Sequence, residues 1–120
     1  MAKLLVVDDN ESICQLIHDF FSDLKGHTGY TTSSPMDAPD IVREKDPDLA
    51  LLDIMMPGIH GIDLLKQLRE IKLGLKAIMI TAVDDEEIAR EAMDRGAVDY
   101  VTKPLDLNYL DTQVTFQLVS

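Results

Sequence analysis

Asp48-Leu49-Ala50-Leu51-Leu52-Asp53 decides the fold, because four consecutive apolar residues stand between two acids. A strand with one wet face alternates polar and apolar side chains, whereas a strand covered by helices on both faces is apolar throughout. Residues 48–53 are of the second kind and predict a central strand of a parallel sheet.

The pattern recurs on either side. Lys3-Leu4-Leu5-Val6-Val7 runs into Asp8-Asp9, Ala77-Ile78-Met79-Ile80 into Thr81, and Val98 to Thr102 into Lys103-Pro104. Between these runs the apolar residues switch to helical spacing: Ile13, Leu16, Ile17, Phe20 and Leu24 after a cap at Asn10 or Ser12. Ile62, Leu65, Leu68 and Ile71 follow the break at Met56-Pro57-Gly58, and Leu107, Leu110, Val114 and Leu118 mark the last helix. A further helix is predicted from Asp84 to Arg95, opening on acids that suit its N-terminal dipole and ending at Gly96. Thr28-Thr32 is β-branched but polar and contains Gly29, which suits an edge strand. Ser34-Pro35 opens a helix through Glu44; Pro39 lies beyond the position where a missing N–H costs nothing and is expected to kink or shorten it.

Five strands alternating with five helices predict an α/β fold, a doubly wound five-stranded parallel sheet with helices on both faces. At 120 residues the chain has room for a single domain, 1–120. The net charge of -11, with 11 basic residues unclustered against 22 acids, argues against direct binding of nucleic acid. No apolar run is long enough to span a membrane and no basic, apolar leader is present, so a cytoplasmic protein is expected. Cys14 has no partner for an internal disulfide and no metal-ligand spacing around it. His18, His27 and His60 are expected to be solvated surface residues.

In open α/β sheets ligands bind beyond the carboxyl ends of the strands, where the strand order switches. That edge should gather Asp8, Asp9, Asp53, Thr81 and Lys103. Carboxylates are ligands for a hard divalent cation, and an ammonium with a hydroxyl suits a phosphoryl group. Singly, each residue has a plainer reading: Asp8-Asp9 as a turn, Thr81 as a helix cap, Lys103-Pro104 as the close of a strand, Tyr100 as core. Asp53 is harder to dismiss, since an acid ending a buried run needs a partner.

Val6-Val7-Asp8-Asp9-Asn10, Leu51 to Gly58, Ile80-Thr81-Ala82 and Asp99 to Leu105 together resemble the receiver domain of two-component response regulators, over essentially the whole chain. The resemblance implies a flavodoxin-like sheet in the order 2-1-3-4-5. It implies that Asp53 is the phosphoryl acceptor and that Asp8 and Asp9 hold Mg²⁺, Asp9 directly and Asp8 mainly through water, with the backbone carbonyl of Met55 completing the set. Lys103 would pair with one phosphoryl oxygen and Thr81 would bond another, while Tyr100 takes the family's aromatic switch position. The implied donor is a sensor histidine kinase or phosphotransfer protein. The implied output surface is the face made by the fourth helix, fifth strand and fifth helix. A cis peptide between Lys103 and Pro104 is implied as well. No Lys or Arg occurs from Pro104 to Ser120, which departs from the charged last helix through which many DNA-binding family members dimerise.

Two other classes compete. An aspartyl-nucleophile phosphatase of the haloacid-dehalogenase type wants a second Asp two residues after the first, where this chain has Met55. A nucleotide- or flavin-binding domain wants a glycine-rich turn after the first strand, where Asp8-Asp9-Asn10 would repel a pyrophosphate.

Overall fold

The computed structural model describes residues 2–82 and 86–119. The apolar runs form β1 (Lys3–Val7), β2 (Thr28–Thr32), β3 (Leu49–Asp53), β4 (Lys76–Thr81) and β5 (Asp99–Thr102). Between and after them lie α1 (Glu11–Asp19), α2 (Ala38–Lys45), α3 (Gly61–Ile71), α4 (Glu86–Asp94) and α5 (Leu107–Val119). The strands are all parallel in the order β2-β1-β3-β4-β5, the doubly wound topology expected, with β3 at the centre and β2 at an edge. A short antiparallel ribbon, Met55–Met56 with Ile59–His60, follows β3.

β3 is buried at every position, which accounts for its unbroken apolar run. Leu5, Val7, Ala50, Leu52, Ala77 and Met79 face one core shared with Val42 of α2, Leu64, Leu65 and Leu68 of α3 and Ala92 of α4. Leu4, Val6, Leu49, Leu51, Ile78 and Ile80 face the other, shared with Ile17 of α1 and Leu110 and Val114 of α5. Each such Leu or Ile contributes roughly 1.5–3 kcal/mol by leaving water.

The inward face of α1 departs from the sequence reading, while its cap and the shortened α2 agree with it. Asn10 alone caps α1, accepting from the N–H groups of Ser12 and Ile13. The inward stripe there is Cys14, Ile17 and Phe21; Leu16 is 50% exposed and Leu24 73%. The helix passes into a π-helical turn at Phe20–Leu24, whose wider winding takes Leu24 off the core-facing side. Pro35–Asp37 is a separate 3₁₀ turn and α2 begins only at Ala38, shortened as expected, which puts Pro39 in the first turn, where the absent N–H disturbs nothing. Asp84, expected to open α4, lies outside the described residues; the helix closes as expected at Gly96, whose φ is +108°.

His27 and His60 are not merely solvated. His27 Nδ1 accepts from the Ala2 N–H at 3.1 Å and its ring lies against Phe21, and burial lowers its pKa. His60 Nδ1 accepts from the Ile62 N–H at 3.2 Å and so caps α3. Among the described residues, no helix is long and apolar enough to cross a membrane.

Gly96 is held between a backbone turn and a side chain: a Cβ there would stand 2.7 Å from Arg69 Nε, and Arg69 itself donates to the Leu75 carbonyl at 2.8 Å. Gly96→Ala should therefore lower stability by roughly 1–3 kcal/mol. Gly74→Ala, with nothing within 4 Å of the added methyl, should stay within about 0.5 kcal/mol of the parent. Urea midpoints measure both, and coincident midpoints would refute the account of Gly96.

Candidate functional site

The carboxyl ends of β1, β3, β4 and β5 lie along one edge, because a parallel sheet points every strand the same way. That edge brings Asp8, Asp9 and Asp53 together: one carboxylate oxygen of each lies within 4.8 Å of the others. Asp8 and Asp53 are 1% and 3% exposed, while Asp9 is exposed at the rim. Lys103 reaches in from the end of β5, its Nζ 3.1 Å from Asp8 Oδ2 and 3.5 Å from Asp53 Oδ2. The Lys103–Pro104 peptide is cis.

Local structure fixes each carboxylate. Asp8 Oδ1 accepts from the Asn10 N–H at 2.9 Å, and Asp53 Oδ1 accepts from the Met55 N–H at 3.3 Å. Thr81 ends β4, 2% exposed, its carbonyl accepting from the Lys103 N–H at 2.7 Å. Tyr100 is half-buried on β5, opposite Met79 in register and packed against the core of α2 and α3. The site's open side is a cleft of about 430 Å³ between Asp9, Ser33–Met36 and Pro57–Ile59. A larger cavity of about 550 Å³, lined by Ala2, His27, Asp48 and Lys76 among others, lies at the opposite edge of the sheet and shares no residue with the acidic cluster.

Among the described residues, three carboxylates face one ammonium, and the electrostatics follow. Burial first, then the charge of Asp8, raises the pKa of Asp53 to about 6, against the opposing pull of Lys103 and the Met55 N–H. For Lys103 burial opposes the charged form, but its close approach to Asp8 and the charges of Asp53 and Asp8 outweigh it and raise its pKa. Cys14 Sγ lies 3.2 Å from the Asp8 carbonyl, and burial raises its pKa, which disfavours the thiolate.

Asp8 Oδ2 is buried with no hydrogen bond; Lys103 Nζ approaches it as an ion-pair partner but outside hydrogen-bonding geometry. An oxygen-only donor set, a buried carboxylate oxygen without a hydrogen bond and surplus negative charge fit a hard divalent cation. Every residue that the sequence reading assigned to this edge, Asp8, Asp9, Asp53, Thr81 and Lys103, lies at it.

A flavodoxin-like sheet with an acidic recess at its carboxyl edge is the class that fold and site define. Residues 4–115 match the family model of the response regulator receiver domain, and the chain belongs to that family of two-component signalling domains. It is 33% identical over 106 residues to sporulation initiation phosphotransferase F of Bacillus subtilis, covering 88% of this chain and 85% of the relative. The receiver domain of the Francisella response regulator 1452 superimposes with a TM-score of 0.89 at 31% identity, over 98% of this chain and 96% of that one. The receiver domain of NtrX from Brucella abortus does so with a TM-score of 0.90 at 30% identity, over 98% of each.

A carboxylate whose folded pKa is raised from 3.8 to about 6 destabilises the fold once ionised. The penalty is absent near the unfolded value and complete above the folded one. In EDTA, Asp53→Asn should be more stable than the parent by roughly 1–3 kcal/mol at about pH 7.5, and the two should converge near pH 4. Urea denaturation at both pH values is the check; a gap that does not depend on pH would rule out Asp53 ionisation as its source.

Proposed function

We propose that residues 1–120 form a single receiver domain that accepts a phosphoryl group on Asp53 in the cytoplasm and relays the event to a partner. The observation that carries this reading is Lys103 Nζ standing between the buried carboxylates of Asp8 and Asp53, 3.1 and 3.5 Å away. Such an arrangement is costly for stability alone and suits an incoming dianion that must be neutralised. The relative's name, a phosphotransferase, points to the same chemistry.

Asp53 acts as nucleophile. One of its oxygens forms the O–P bond as the P–N bond of a phosphohistidine breaks and the electron pair leaves on the imidazole nitrogen, giving an acyl phosphate. Lys103 pairs with a phosphoryl oxygen, and the Thr81 hydroxyl bonds another. Asp8, Asp9, Asp53 and the Met55 carbonyl would hold Mg²⁺, which when bound neutralises charge on the transferring group. The donor is a sensor histidine kinase or a phosphotransfer protein, and the domain's own catalysis is confined to gaining and losing this one group.

The new phosphoryl oxygens draw Thr81 toward the site and vacate space for the Tyr100 ring. Tyr100 and Tyr109 line a shallow recess with Asp99 and Thr102, so the ring's position reshapes the face of α4, β5 and α5. That face is where the output partner docks. Neither nucleic acid nor membrane is a direct ligand in this reading.

With Mg²⁺ and phosphoramidate, the chain should gain one base-labile phosphoryl group, detected by mass spectrometry and absent from Asp53→Asn. Undiminished labelling of that variant would sink the assignment. Asp9→Ala should weaken Mg²⁺ binding about tenfold or more, whereas Asp63→Ala, on the exposed side of α3, should leave it unchanged. Calorimetric titration distinguishes them, and equal affinities would move the cation elsewhere.

A further inference from the structure

Gly61, the first residue of α3, does not need to be glycine for its backbone conformation. The positive φ values of glycine are at Gly26, Gly58 and Gly96. What Gly61 needs is space. A Cβ there would collide with the Asp53 carbonyl oxygen and stand 2.6 Å from Ile54 Cα and 3.0 Å from the Asp53 carbonyl carbon, all of them backbone. Gly61 also bonds to that backbone, its N–H donating to the Ile54 carbonyl at 2.7 Å.

The peptide chain just past the acceptor is thus clamped from two sides. Ile54 donates its N–H to the Ile80 carbonyl of β4 at 2.9 Å and gives its own carbonyl to Gly61. Ile54 is fully buried. Behind Gly61, Leu64, Leu65 and Leu68 are all 0% exposed, so α3 has no slack with which to retreat from an added methyl. The displacement must appear in residues 53–55, which carry the Asp53 carboxylate and the Met55 carbonyl. We infer that Gly61 is a positioning residue: by letting the end of α3 seat directly on the Asp53–Ile54 backbone, it sets where those two oxygens stand for the cation and for phosphoryl transfer. The inference rests on the proposed roles of Asp53 and Met55.

The test compares the parent with Gly61→Ala, His60→Ala and Gly74→Ala. Mg²⁺ affinity is read by calorimetry, melting temperature by circular dichroism, the metal-free amide shifts of residues 53–55 by NMR, and labelling rates by phosphoramidate. Gly61→Ala should raise the Mg²⁺ Kd and lower kcat with phosphoramidate by about tenfold each, because small displacements of catalytic groups are amplified in rate. It should also move the amide resonances of Ile54 and Met55. Gly74→Ala should change none of these. A lowered melting temperature with Mg²⁺ Kd and kcat unchanged would reduce Gly61 to a packing residue and overturn the inference. Should Gly61→Ala fail to fold, His60→Ala loosens the same helix end without a clash by removing the acceptor for Ile62 N–H. It should raise the Mg²⁺ Kd roughly threefold, and an unchanged Kd would overturn the inference as well. Failure of the parent itself to label on Asp53 is a separate outcome: it would remove the proposed function on which the inference stands.

Discussion

Three carboxylates held within 4.8 Å of one another against a single ammonium are the constraint on which the structure turns. Like charges gathered out of water repel, and each loses hydration as well. A fold can keep such a cluster only if the groups cannot move apart. Here the backbone on either side of each acid is fixed: Asp8 by the turn into α1, where its carboxylate accepts from Asn10, and Asp53 by β1 and β4 flanking β3. Held in place, Asp53 carries the raised pKa, through its burial first and the charge of Asp8 second.

The confinement comes from the sheet. β3 is apolar in both directions, so alternation of polar and apolar residues cannot set its register as it would in a half-exposed strand. Size does part of that work. Ala50 and Ala77 lie on the face covered by α2, α3 and α4, while the adjacent Leu49, Leu51, Ile78 and Ile80 lie on the face covered by α1 and α5. A slip by one residue would press large side chains against closely seated helices and leave voids opposite, which a close-packed interior resists. The register that results sets Asp53 beside Ile80 and Thr81 beside Thr102, and so aligns the strand ends from which the site is built.

Much of this was legible in the residues alone. The buried runs of β1, β3 and β4 and the residues that end them needed only hydropathy and the rule that ligands gather at the carboxyl edge. What the spacing misjudged were places where local geometry overrides an ideal helix. Leu24 looked inward until a π-helical turn removed it, whereas the shortening expected from Pro39 is met by a 3₁₀ turn that moves the start of α2 to Ala38. His27 and His60 looked merely solvated because a histidine's hydrogen-bond acceptor leaves no periodic trace in a sequence.

The sequence by itself determined which chemical groups this chain can bring to one edge, because the parallel direction of the strands follows from hydropathy and connection length, while their order was implied by the resemblance to the receiver family. Only the tertiary structure decided how those groups meet. Lys103 lies 50 residues from Asp53 and pairs with both buried acids, Asp8 Oδ2 is left without a hydrogen bond, and Gly61 fits where no side chain could. These are distances between segments remote in the chain, set by the packing of both cores at once, and no local pattern of residue types encodes a distance.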